Sequence, residues 1–600
     1  MRLSGTKTGS ANQYNGLGDQ LYDLGGARPT LDLNFASNGS LVDSVTGKTL
    51  VDFTRASGGT YVDGDGLIKT AVTNLLLRSE EFDNTFWTPT NGTVSANQAS
   101  SPTGAVIADK LIANNAASGA QVFSTTTLLA STTYTFSCYA KAAEWSWLRL
   151  TSRGPENSDI GAYFNLATGA VGVTDSNVTA TIQDVSGGWY RCVVTRTTGT
   201  GAAAGRQRIY ATNADNALST GDGTSGIYIW GAQLEQSSTV GEYIPTTSTI
   251  NSATRFHHDP TTGESLGLLV EESRTNLLQY SQDFSNSYWS KLSGLTVTAN
   301  QSLAPDGSQT GFLFTADPST GGYLERSISV TSGTTYTYSV YLKRGNVATT
   351  LILLSGATFN NNGGNPVGTF NLDTATATFS NGSSGSITPV GNNWYRCVIT
   401  ATATATESRG QQFVRMSANG ATVYVWGAQL EAGSFPTSYI PTTSSTVTRA
   451  ADVAVISGSN FSSWYRQDEG TVFVNQTSLS TVPQDFATVC QFNDTTTTNV
   501  LHIRKRSGFS QWAVGGESNL FMTRTINQPS VLSVAYKTDN TAFAAEGDLT
   551  SDSTCTIDPN KVEVLIGNGV TSDSYLNGII RRITYWPQRL PNETLQTITN

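Results

Sequence analysis

The chain repeats itself after about 200 residues, and this repeat constrains the fold more than any other feature of the sequence. The string WYRCV occurs twice. It begins at Trp189 in the first copy and at Trp394, directly after Asn393, in the second. The string WGAQLE follows in both copies, at Trp230 and Trp426, and YIPTT comes after it each time. Such a period is too long for a solenoid. The repeat therefore indicates two copies of one domain.

Each copy has the pattern of β structure. The segments TYTFSCYAK in the first copy and TYTYSVYLK in the second alternate bulky and small polar residues with a period of two. Clusters of Gly, Ser, Asn and Thr separate these segments, as is typical of turns between short antiparallel strands. Neither copy shows helical periodicity over a long stretch. We therefore predict an all-β chain in which each copy forms a two-sheet jelly roll, a β-sandwich.

A Thr-Arg pair recurs where one section of the chain gives way to the next, at Arg55, Arg255 and Arg449. The segments TYVDGDGLIKTAVTNLL and GESLGLLVEESRTNLL, which follow the first two pairs, read as β-hairpin connectors that pack against the next module. These joints predict four parts: an N-terminal attachment segment and connector (1–73), a first jelly roll (74–250), a connector with a second jelly roll (251–450), and a C-terminal domain (451–600).

The C-terminal part lacks the repeat but keeps the strand pattern. The segments EGTVFVNQ, ATVCQF, NVLHIRKR, VLSVAYK and KVEVLIG are predicted strands. A further strand is predicted over residues 579–586. A short helix is predicted after Pro591, because Asn592 and Glu593 favour a helix N-terminus.

The composition excludes several classes of protein. The formal net charge is −10, which argues against a protein that coats nucleic acid, since phosphate binding needs clustered Lys and Arg. Charged residues make up only 13 %, against about 25 % in typical soluble domains, so Ser, Thr, Asn and Gln must supply the surface polarity. No apolar run predicts a membrane span, and the N-terminus does not resemble a secretory signal. These features suit a virion protein that is made in a host cytoplasm.

Residues that carry enzyme chemistry are sparse. The three histidines are His257, His258 and His502, and the sequence contains no GxSxG, P-loop or HExxH motif. The five cysteines show no paired spacing, so we predict free, buried thiols and no zinc site. We therefore expect no catalytic residues, no cofactor and no enzymatic activity.

Two acidic features have structural interpretations. Glu235 and Glu431 occupy equivalent positions in the two WGAQLE strings, which predicts a structural role such as pairing with Arg255 or Arg449. The Asp63-Gly64-Asp65-Gly66 run lacks the remaining ligands of an EF-hand loop, so a tight turn is expected there. Structural calcium stays possible, with no residues assigned to it.

Aromatic residues that differ between the copies are the candidate ligand-binding residues. Trp145, Trp147 and Arg149 alternate in KAAEWSWLRL, where the second copy has KRGNVATTLIL, and we expect them to share one face of a strand. Flat rings with a few polar groups can bind sugar rings. A ring pair in the core or against a neighbouring subunit is the alternative. Trp512 is a further candidate, and Trp464 with Tyr465 is a weaker one.

Several strings resemble those of a known family. WGAQLE, YIPTT and TRAAD, the connector GESLGLLVEESRTNLL and the closing NGIIRRITYWPQRLP are similar to bacteriophage tail-fibre and related virion proteins. The repeats resemble jelly-roll carbohydrate-binding modules, and the last part resembles a concanavalin-like, laminin-G-type lectin domain. The resemblance covers residues 54–600, and residues 1–50 would attach the chain to other virion proteins.

The resemblance implies a non-enzymatic virion fibre that contacts host-surface glycans during adsorption and forms a homotrimer. Two alternatives stay open. The chain could be a purely structural virion part, such as a head fibre, decoration protein or tail adaptor, whose modules contact only protein. It could instead be a polysaccharide-degrading enzyme, although the modules leave only about 70 residues for a catalytic core, which is small for an independent domain.

Overall fold

The structure is a computed structural model. It describes residues 21–600 apart from 23, 25, 116–118, 203–204, 354–358, 360–363, 417–419, 479–486, 497–499, 507–508, 515–517, 524–529, 559 and 571–573. No helix in this part of the chain is long and apolar enough to cross a membrane. The N-terminal 20 residues of the predicted attachment segment lie outside the described residues.

The chain forms two compact units. The first jelly roll makes up one unit, which comprises residues 55–58 and 71–253. The other unit comprises the described residues before 55, residues 59–70, and residues 254–600, and it contains the second jelly roll and a C-terminal sandwich. The strands that form the sheets of these units pair in antiparallel fashion, so the predicted all-β fold is confirmed.

The segment before the first jelly roll contains four short strands and one helical turn. These are β1 (Leu31–Leu33), α1 (Phe35–Asn38), β2 (Asp52–Thr54), β3 (Thr60–Val62) and β4 (Ile68–Thr70). Strands β3 and β4 pair as a hairpin around the predicted tight turn. In that turn the Asp63 carboxylate accepts hydrogen bonds from the backbone N–H groups of Asp65 and Leu67, both at 3.0 Å.

The first jelly roll consists of two six-stranded sheets. Its strands are β5 (Thr73–Asn74), β6 (Thr88–Thr90), β7 (Gly92–Ser100), β8 (Val106–Ala113), β9 (Ala120–Ser124), β10 (Thr133–Ala142), β11 (Trp147–Arg153), β12 (Asp159–Asn165), β13 (Ala170–Thr174), β14 (Thr179–Asp184), β15 (Trp189–Thr197), β16 (Arg206–Thr212), β17 (Gly226–Glu235) and β18 (Asn251–Ser252). The strand orders are β14-β15-β10-β17-β8-β7 and β13-β12-β11-β16-β9-β6.

The second jelly roll follows two connector strands, β19 (Phe256–His258) and β20 (Ser265–Val270). Its strands are β21 (Arg274–Asn276), β22 (Ser290–Leu292), β23 (Thr296–Ser302), β24 (Gly311–Thr315), β25 (Gly322–Val330), β26 (Thr335–Arg344), β27 (Thr349–Leu353), β28 (Val367–Asn371), β29 (Thr376–Ser380), β30 (Ser384–Pro389), β31 (Trp394–Thr402), β32 (Glu407–Met416), β33 (Thr422–Ala432) and β34 (Val447–Arg449). The strand orders, β30-β31-β26-β33-β24-β23 and β29-β28-β27-β32-β25-β22, are those of the first jelly roll.

The repeated tryptophans occupy equivalent places, as the repeat predicts. Trp189 and Trp394 lie opposite Lys141 and Lys343, the equivalent lysines of the two TYT strands. Their indole N–H groups donate to backbone carbonyls at 2.9 Å in both modules. Because the alternating residues of each strand point to opposite faces, the period-two pattern buries one side of each sheet in a closed core.

A two-stranded clasp closes each jelly roll. Strand β5 pairs with β18 in the first module, and β21 pairs with β34 in the second. Asn74 and Asn276 lie at these clasps and are fully buried. Each asparagine amide donates to two backbone carbonyls, and each amide oxygen accepts from two backbone N–H groups.

The C-terminal sandwich draws strands from distant parts of its unit. Its own strands and helices are β35 (Val453–Ser457), α2 (Gly458–Ser462), β36 (Glu469–Ser478), β37 (Ala487–Asn493), β38 (Val500–Arg506), β39 (Phe509–Val514), β40 (Ser518–Thr523), β41 (Ser530–Lys537), β42 (Thr541–Ala545), β43 (Asp548–Asp552), β44 (Glu563–Ile566), β45 (Gly578–Trp586) and α3 (Asn592–Thr599). Its sheets are β19-β20-β45-β36-β41-β42-β43, to which β1 is added beside β45, and β2-β35-β44-β37-β38-β39-β40. The predicted closing strand and terminal helix are confirmed.

The joint arginines are buried but do not pair with the WGAQLE glutamates, so that predicted pairing is wrong. Arg255 pairs with Glu271 at 2.7 Å and with Asp452, and all three side chains are almost fully buried. Glu235 instead accepts from Gln233 and from a backbone N–H, and Glu431 does the same in the second module. The glutamates are structural because they tie their own strand to the segment that follows it.

All five cysteines are buried thiols that form no disulfide, as predicted: Cys138, Cys192, Cys397, Cys490 and Cys555. Burial raises the pKa of four of these thiols, those of Cys138, Cys192, Cys397 and Cys490. A buried thiol that stays protonated is a poor nucleophile, so these cysteines act as small apolar residues of the core.

Candidate functional site

Strand β11 of the first jelly roll presents two of the predicted site residues on its outer face. Leu148 and Leu150 point into the core of the module, and the alternation of the strand therefore places Trp147 and Arg149 on the opposite side. Both outer side chains are partly exposed. This outer face is the candidate site.

Trp145 does not share that face, so this part of the prediction is wrong. It lies before the first residue of β11, in the turn from β10, where its N–H donates to the carbonyl of Gly226. Its side chain is only 9 % exposed and belongs to the core cluster of the module. Period-two alternation applies only within a strand, and the strand begins at Trp147.

Arg149 lies between two tyrosines of the neighbouring strands. It is opposite Tyr163 of β12 and Tyr210 of β16 in the register of the sheet. Its guanidinium carbon is 5.0 Å from the centroid of the Tyr163 ring and 5.9 Å from that of Tyr210. Both distances are within the range of cation–π contact, so the rings fix the position of the guanidinium group.

The carboxylate of Asp175 also holds Arg149 in place. Asp175 accepts from Arg149 at 3.2 Å and from the backbone N–H of Gly161 at 2.9 Å. The Arg149 side chain is 18 % exposed, so part of it remains accessible to solvent. The guanidinium group is thus held in place without being covered.

Two further arginines extend the face across β16 towards β9. Arg206 lies over the ring of Phe123, with 4.5 Å between its guanidinium carbon and the ring centroid. Arg208 donates to the Tyr210 hydroxyl at 3.0 Å and pairs with Asp159. We call the set of outer residues the arginine–tyrosine face: Phe123, Trp147, Arg149, Arg153, Tyr163, Arg206, Arg208 and Tyr210.

The arginine–tyrosine face carries an excess of positive charge. Its four arginines are met by three carboxylates, those of Asp159 and Asp175 and that of Asp215 beside Trp147. This local excess contrasts with the chain as a whole, whose formal net charge is −10. An anionic group that approaches this face therefore meets a favourable local field.

Several buried polar atoms of the face have no hydrogen-bond partner. They include the Nε of Arg149 and of Arg208, the Oγ1 of Thr151 and the Oε1 of Gln121. Strand register places Thr151 opposite Arg208, and Gln121 opposite Tyr210. Unpartnered buried polar groups cost free energy of folding, and each is a place where an ordered water or another polar partner would be favourable.

Trp147 packs against a backbone that comes unusually close. A Cβ atom added at Gly172 would lie 2.6 Å from the Trp147 ring and 2.5 Å from the Asp215 carboxylate. Asp215 in turn accepts from the N–H of Val173 at 2.9 Å. Glycine at position 172 thus lets the indole lie against β13, which leaves the ring partly exposed at the end of the face.

The sequence matches no protein-family model and no curated protein. Similar solved structures include the Ruminococcus gnavus IT-sialidase carbohydrate-binding module CBM40 bound to alpha2,6 sialyllactose, at 12 % identity and a TM-score of 0.20, covering 22 % of this chain and 85 % of that one. The CBM22-1–CBM22-2 tandem domain of Paenibacillus barcinonensis Xyn10C has 15 % identity and a TM-score of 0.21, covering 61 % and 98 %. Domains LG4-5 of the mouse laminin alpha1 chain have 8 % identity and a TM-score of 0.18, covering 53 % and 89 %.

These neighbours are carbohydrate-binding modules and laminin G domains, that is, β-sandwich proteins. At these identities and TM-scores, the fold of the present chain is established by its own strand order and register. The arginine–tyrosine face is likewise defined by contacts within the first jelly roll alone.

The other aromatic candidates lie elsewhere. Trp464 and Tyr465 are buried in the core of the C-terminal sandwich, where Trp464 packs 5.0 Å from Tyr585, so they offer no surface for a ligand. Trp512 lies in strand β39, opposite Ile503, and its side chain is outside the described part of the structure. Among the residues that the structure describes, no group of three or more His, Cys, Asp or Glu side chains could hold a metal ion.

Sequence reasoning missed Tyr163 and Tyr210, the two largely buried rings that hold the guanidinium group of Arg149. Their strands are separated from β11 in the chain, and only the register of the sheet brings the three residues together. A signal was nonetheless present. GAYFN and RIYAT each contain a tyrosine beside core residues, and the second copy has threonine and arginine at those positions.

Proposed function

We propose that the chain is a non-enzymatic saccharide-binding protein, and that the arginine–tyrosine face of the first jelly roll is its binding surface. The observation that carries the proposal is the partly exposed guanidinium group of Arg149, held in place by Tyr163 and Tyr210, on the same face as the partly exposed ring of Trp147. Aromatic rings pack against the C–H faces of sugar rings, and guanidinium groups donate to hydroxyl and carboxylate oxygens. The excess of arginine favours saccharides with acidic groups.

The shape of the face supports a chain-like ligand. The rings and cations extend across four neighbouring strands, from β12 through β11 and β16 to β9. Adjacent strands are about 4.8 Å apart. A surface that crosses four strands therefore suits an extended saccharide better than a single small molecule.

The resemblance of the sequence extends the proposal to a biological setting. We propose a phage virion appendage that contacts host-surface glycans during adsorption, attaches to other virion proteins through its N-terminus and assembles as a homotrimer. Light scattering of the purified full-length chain tests the assembly, with three times the chain mass expected. A monomer at micromolar concentration would overturn the trimer.

The binding proposal is tested with a glycan array and then by measuring affinity for a saccharide that the array identifies. Arg149→Ala and Trp147→Ala should each weaken binding about tenfold, because each removes a charged donor or a stacking ring. Arg415→Ala is the matched control, since Arg415 is the residue of the second jelly roll that corresponds to Tyr210. It should leave affinity unchanged.

The outcomes separate the proposal from its main alternative. Binding that survives both first-module substitutions would remove the arginine–tyrosine face from the site. A full-length protein that binds no saccharide on the array, and that adsorbs to no host cell, would favour a purely structural virion part. Release of sugar products from any bound polysaccharide would instead show an enzyme.

A further inference from the structure

The second unit contains a large cavity that is independent of the arginine–tyrosine face. Its volume is about 590 Å³, which is within the range of small-molecule sites. The β3–β4 hairpin, the connector around His257 and the YIPTT segment line it opposite the outer face of strands β30 and β31. Every lining residue belongs to one compact unit.

Arg396 is the cation of this cavity, and its charge is not matched by an ion pair within the described part of the unit. One guanidinium nitrogen donates to the Ser339 hydroxyl at 2.9 Å, and the group lies 5.6 Å from the centroid of the Tyr341 ring. Its Nε is buried without a partner. The neighbouring carboxylates have other partners: Glu271 bonds Arg255 and Ser438, and Glu431 bonds Gln429 and Thr437.

The equivalent arginine of the first jelly roll shows what Arg396 lacks. Arg191 also donates to a serine hydroxyl, that of Ser137, and it additionally donates to the Gly241 carbonyl at 2.7 Å. In the second jelly roll, Thr437 occupies the position that corresponds to Gly241. The described contacts of Thr437 include no hydrogen bond from Arg396 to its carbonyl. The Nε of Arg191 is unpartnered as well. The difference is therefore the second terminal nitrogen, which Arg191 uses on Gly241 and which Arg396 keeps as an unused donor.

The rest of the lining suits a ligand with many hydroxyl groups. Ser384, Ser386 and Thr388 occupy alternate positions on β30, the edge strand of its sheet, and line the cavity. The rings of Tyr61, Tyr341 and Tyr439 line it as well. Alternating hydroxyls and flat rings around one cation are the groups that recognise a polar sugar ring.

His257 adds a neutral donor. Its Nδ1 accepts from the N–H of Val62 at 3.3 Å, which leaves the proton of the neutral ring on Nε2. Burial lowers the pKa of His257 to about 4, so the ring is neutral at physiological pH. The cavity thus has one cationic donor, one neutral ring donor and a row of hydroxyls.

We propose that this cavity binds a single sugar unit that carries a carboxylate, with the carboxylate on Arg396. Arginine presents a planar pair of donors that matches a carboxylate, and the hydroxyls of β30 supply partners for the sugar hydroxyls. The exposed edge strand beside the cavity provides the entrance, since Ser384 and Thr388 are both exposed. The site does not depend on saccharide binding by the first jelly roll.

The test is a titration of the full-length chain with sodium D-glucuronate, followed by saturation-transfer NMR and calorimetry. D-Glucose and sodium acetate are the comparison ligands. Glucuronate should bind at least about tenfold more tightly than either, because only it has both the carboxylate and the hydroxylated ring. If glucose binds as tightly as glucuronate, the proposed contact between Arg396 and the carboxylate is wrong. If acetate binds as tightly as glucuronate, the proposal that the cavity recognises a sugar ring is wrong.

Variants locate the binding. Arg396→Gln should weaken glucuronate binding about tenfold or more, whereas Arg191→Gln, its counterpart in the first jelly roll, should not. Thr388→Trp, a substitution at an exposed lining position, fills the entrance without altering the core and should abolish binding. Melting temperatures of all variants show whether they fold.

One further variant separates this site from the proposed function. Arg149→Ala should leave glucuronate binding intact. Loss of binding in Arg149→Ala with retention in Arg396→Gln and Thr388→Trp would place glucuronate on the arginine–tyrosine face and overturn the cavity site. If the full-length chain binds no saccharide on the glycan array but still binds glucuronate, the proposed function is overturned and the cavity site is not.

Discussion

The two jelly rolls share their interiors and differ on their outer faces. Both have the same order of strands in both sheets, the same tryptophan contacts and the same buried asparagine at the clasp. On the outer face of β11 the first module has Trp147 and Arg149, whereas the corresponding positions of β27 hold Thr349 and Leu351. Function in such modules is carried by the residues grafted on the fold rather than by the fold.

The opposite sheets differ in a complementary way. In the first module both terminal nitrogens of Arg191 donate within the module, to Gly241 and Ser137, whereas in the second one terminal nitrogen of Arg396 donates to Ser339 and the other stays available beside a cavity. The same arginine on the same strand is thus a structural group in one copy and a candidate ligand-binding group in the other. Duplication preserved the cores, and the two copies present recognition groups on different sheets.

The shared clasp should give the largest effect. Asn74→Ala and Asn276→Ala each leave two buried carbonyls and two buried N–H groups without a partner, so each should lower the free energy of unfolding by about 4 kcal/mol. Urea unfolding measures the loss, and hydrogen exchange assigns it to one module. Gln98→Ala, at an exposed position, should change little. A large loss in only one of the two asparagine variants would break the equivalence of the modules.

The two neighbouring tryptophans of the first module should separate packing from binding. Trp145→Ala should cost about 3 kcal/mol, because it leaves a cavity in the core. Trp147→Ala should cost less than about 1 kcal/mol, since its ring is partly exposed. Thermal melting measures both. Equal destabilisation by the two substitutions would place both rings in the core and weaken the case for the arginine–tyrosine face.

Acidification should destabilise the unit that contains the second jelly roll through its buried histidines. Burial lowers the pKa of His257 to about 4 and that of His502 to about 3, whereas unfolded histidine has a pKa of about 6.5. Between these values the unfolded state binds protons that the folded state does not. The free energy of unfolding should therefore fall as pH falls from 7 to about 4, by about 3 kcal/mol for His257.

Residues 74–250 contain no histidine, so this contribution is absent from the first jelly roll. Calorimetry at pH 7 and pH 4 tests the difference, and His257→Gln should reduce the slope. A pH dependence that is unchanged in His257→Gln would assign it to carboxylates such as Glu271, whose pKa the adjacent Arg449 and Arg255 hold below its usual range against the effect of burial.

The sequence predicted the modular β architecture because the repeat and the period-two pattern are local properties. The equivalence of Trp189 with Trp394, the free cysteines and the terminal helix followed from the same patterns. The same reasoning placed Trp147 and Arg149 together correctly. It failed at Trp145, because the residue where a strand begins cannot be located from alternation alone.

The remaining parts of both sites depend on long-range register. Tyr163 and Tyr210 reach Arg149 only through the order β12-β11-β16, and the cavity near Arg396 combines segments from Thr60 to Tyr439. Partners of Arg255 were also mispredicted, because Glu271 and Asp452 lie far from each other in the chain. Pairing between distant segments is set by the whole fold and not by local composition.

The clasps have a consequence for the order in which the chain folds. The C-terminal sandwich joins β1 to β45 and contains an ion pair between Asp32 and Arg582, so it must close an interval of about 550 residues. Loop-closure entropy rises with the length of the free interval. A jelly roll that has folded and closed its clasp holds its two ends side by side, which shortens the effective interval. We expect the inserted modules to fold first and thereby speed assembly of the sandwich that contains β1 and β45.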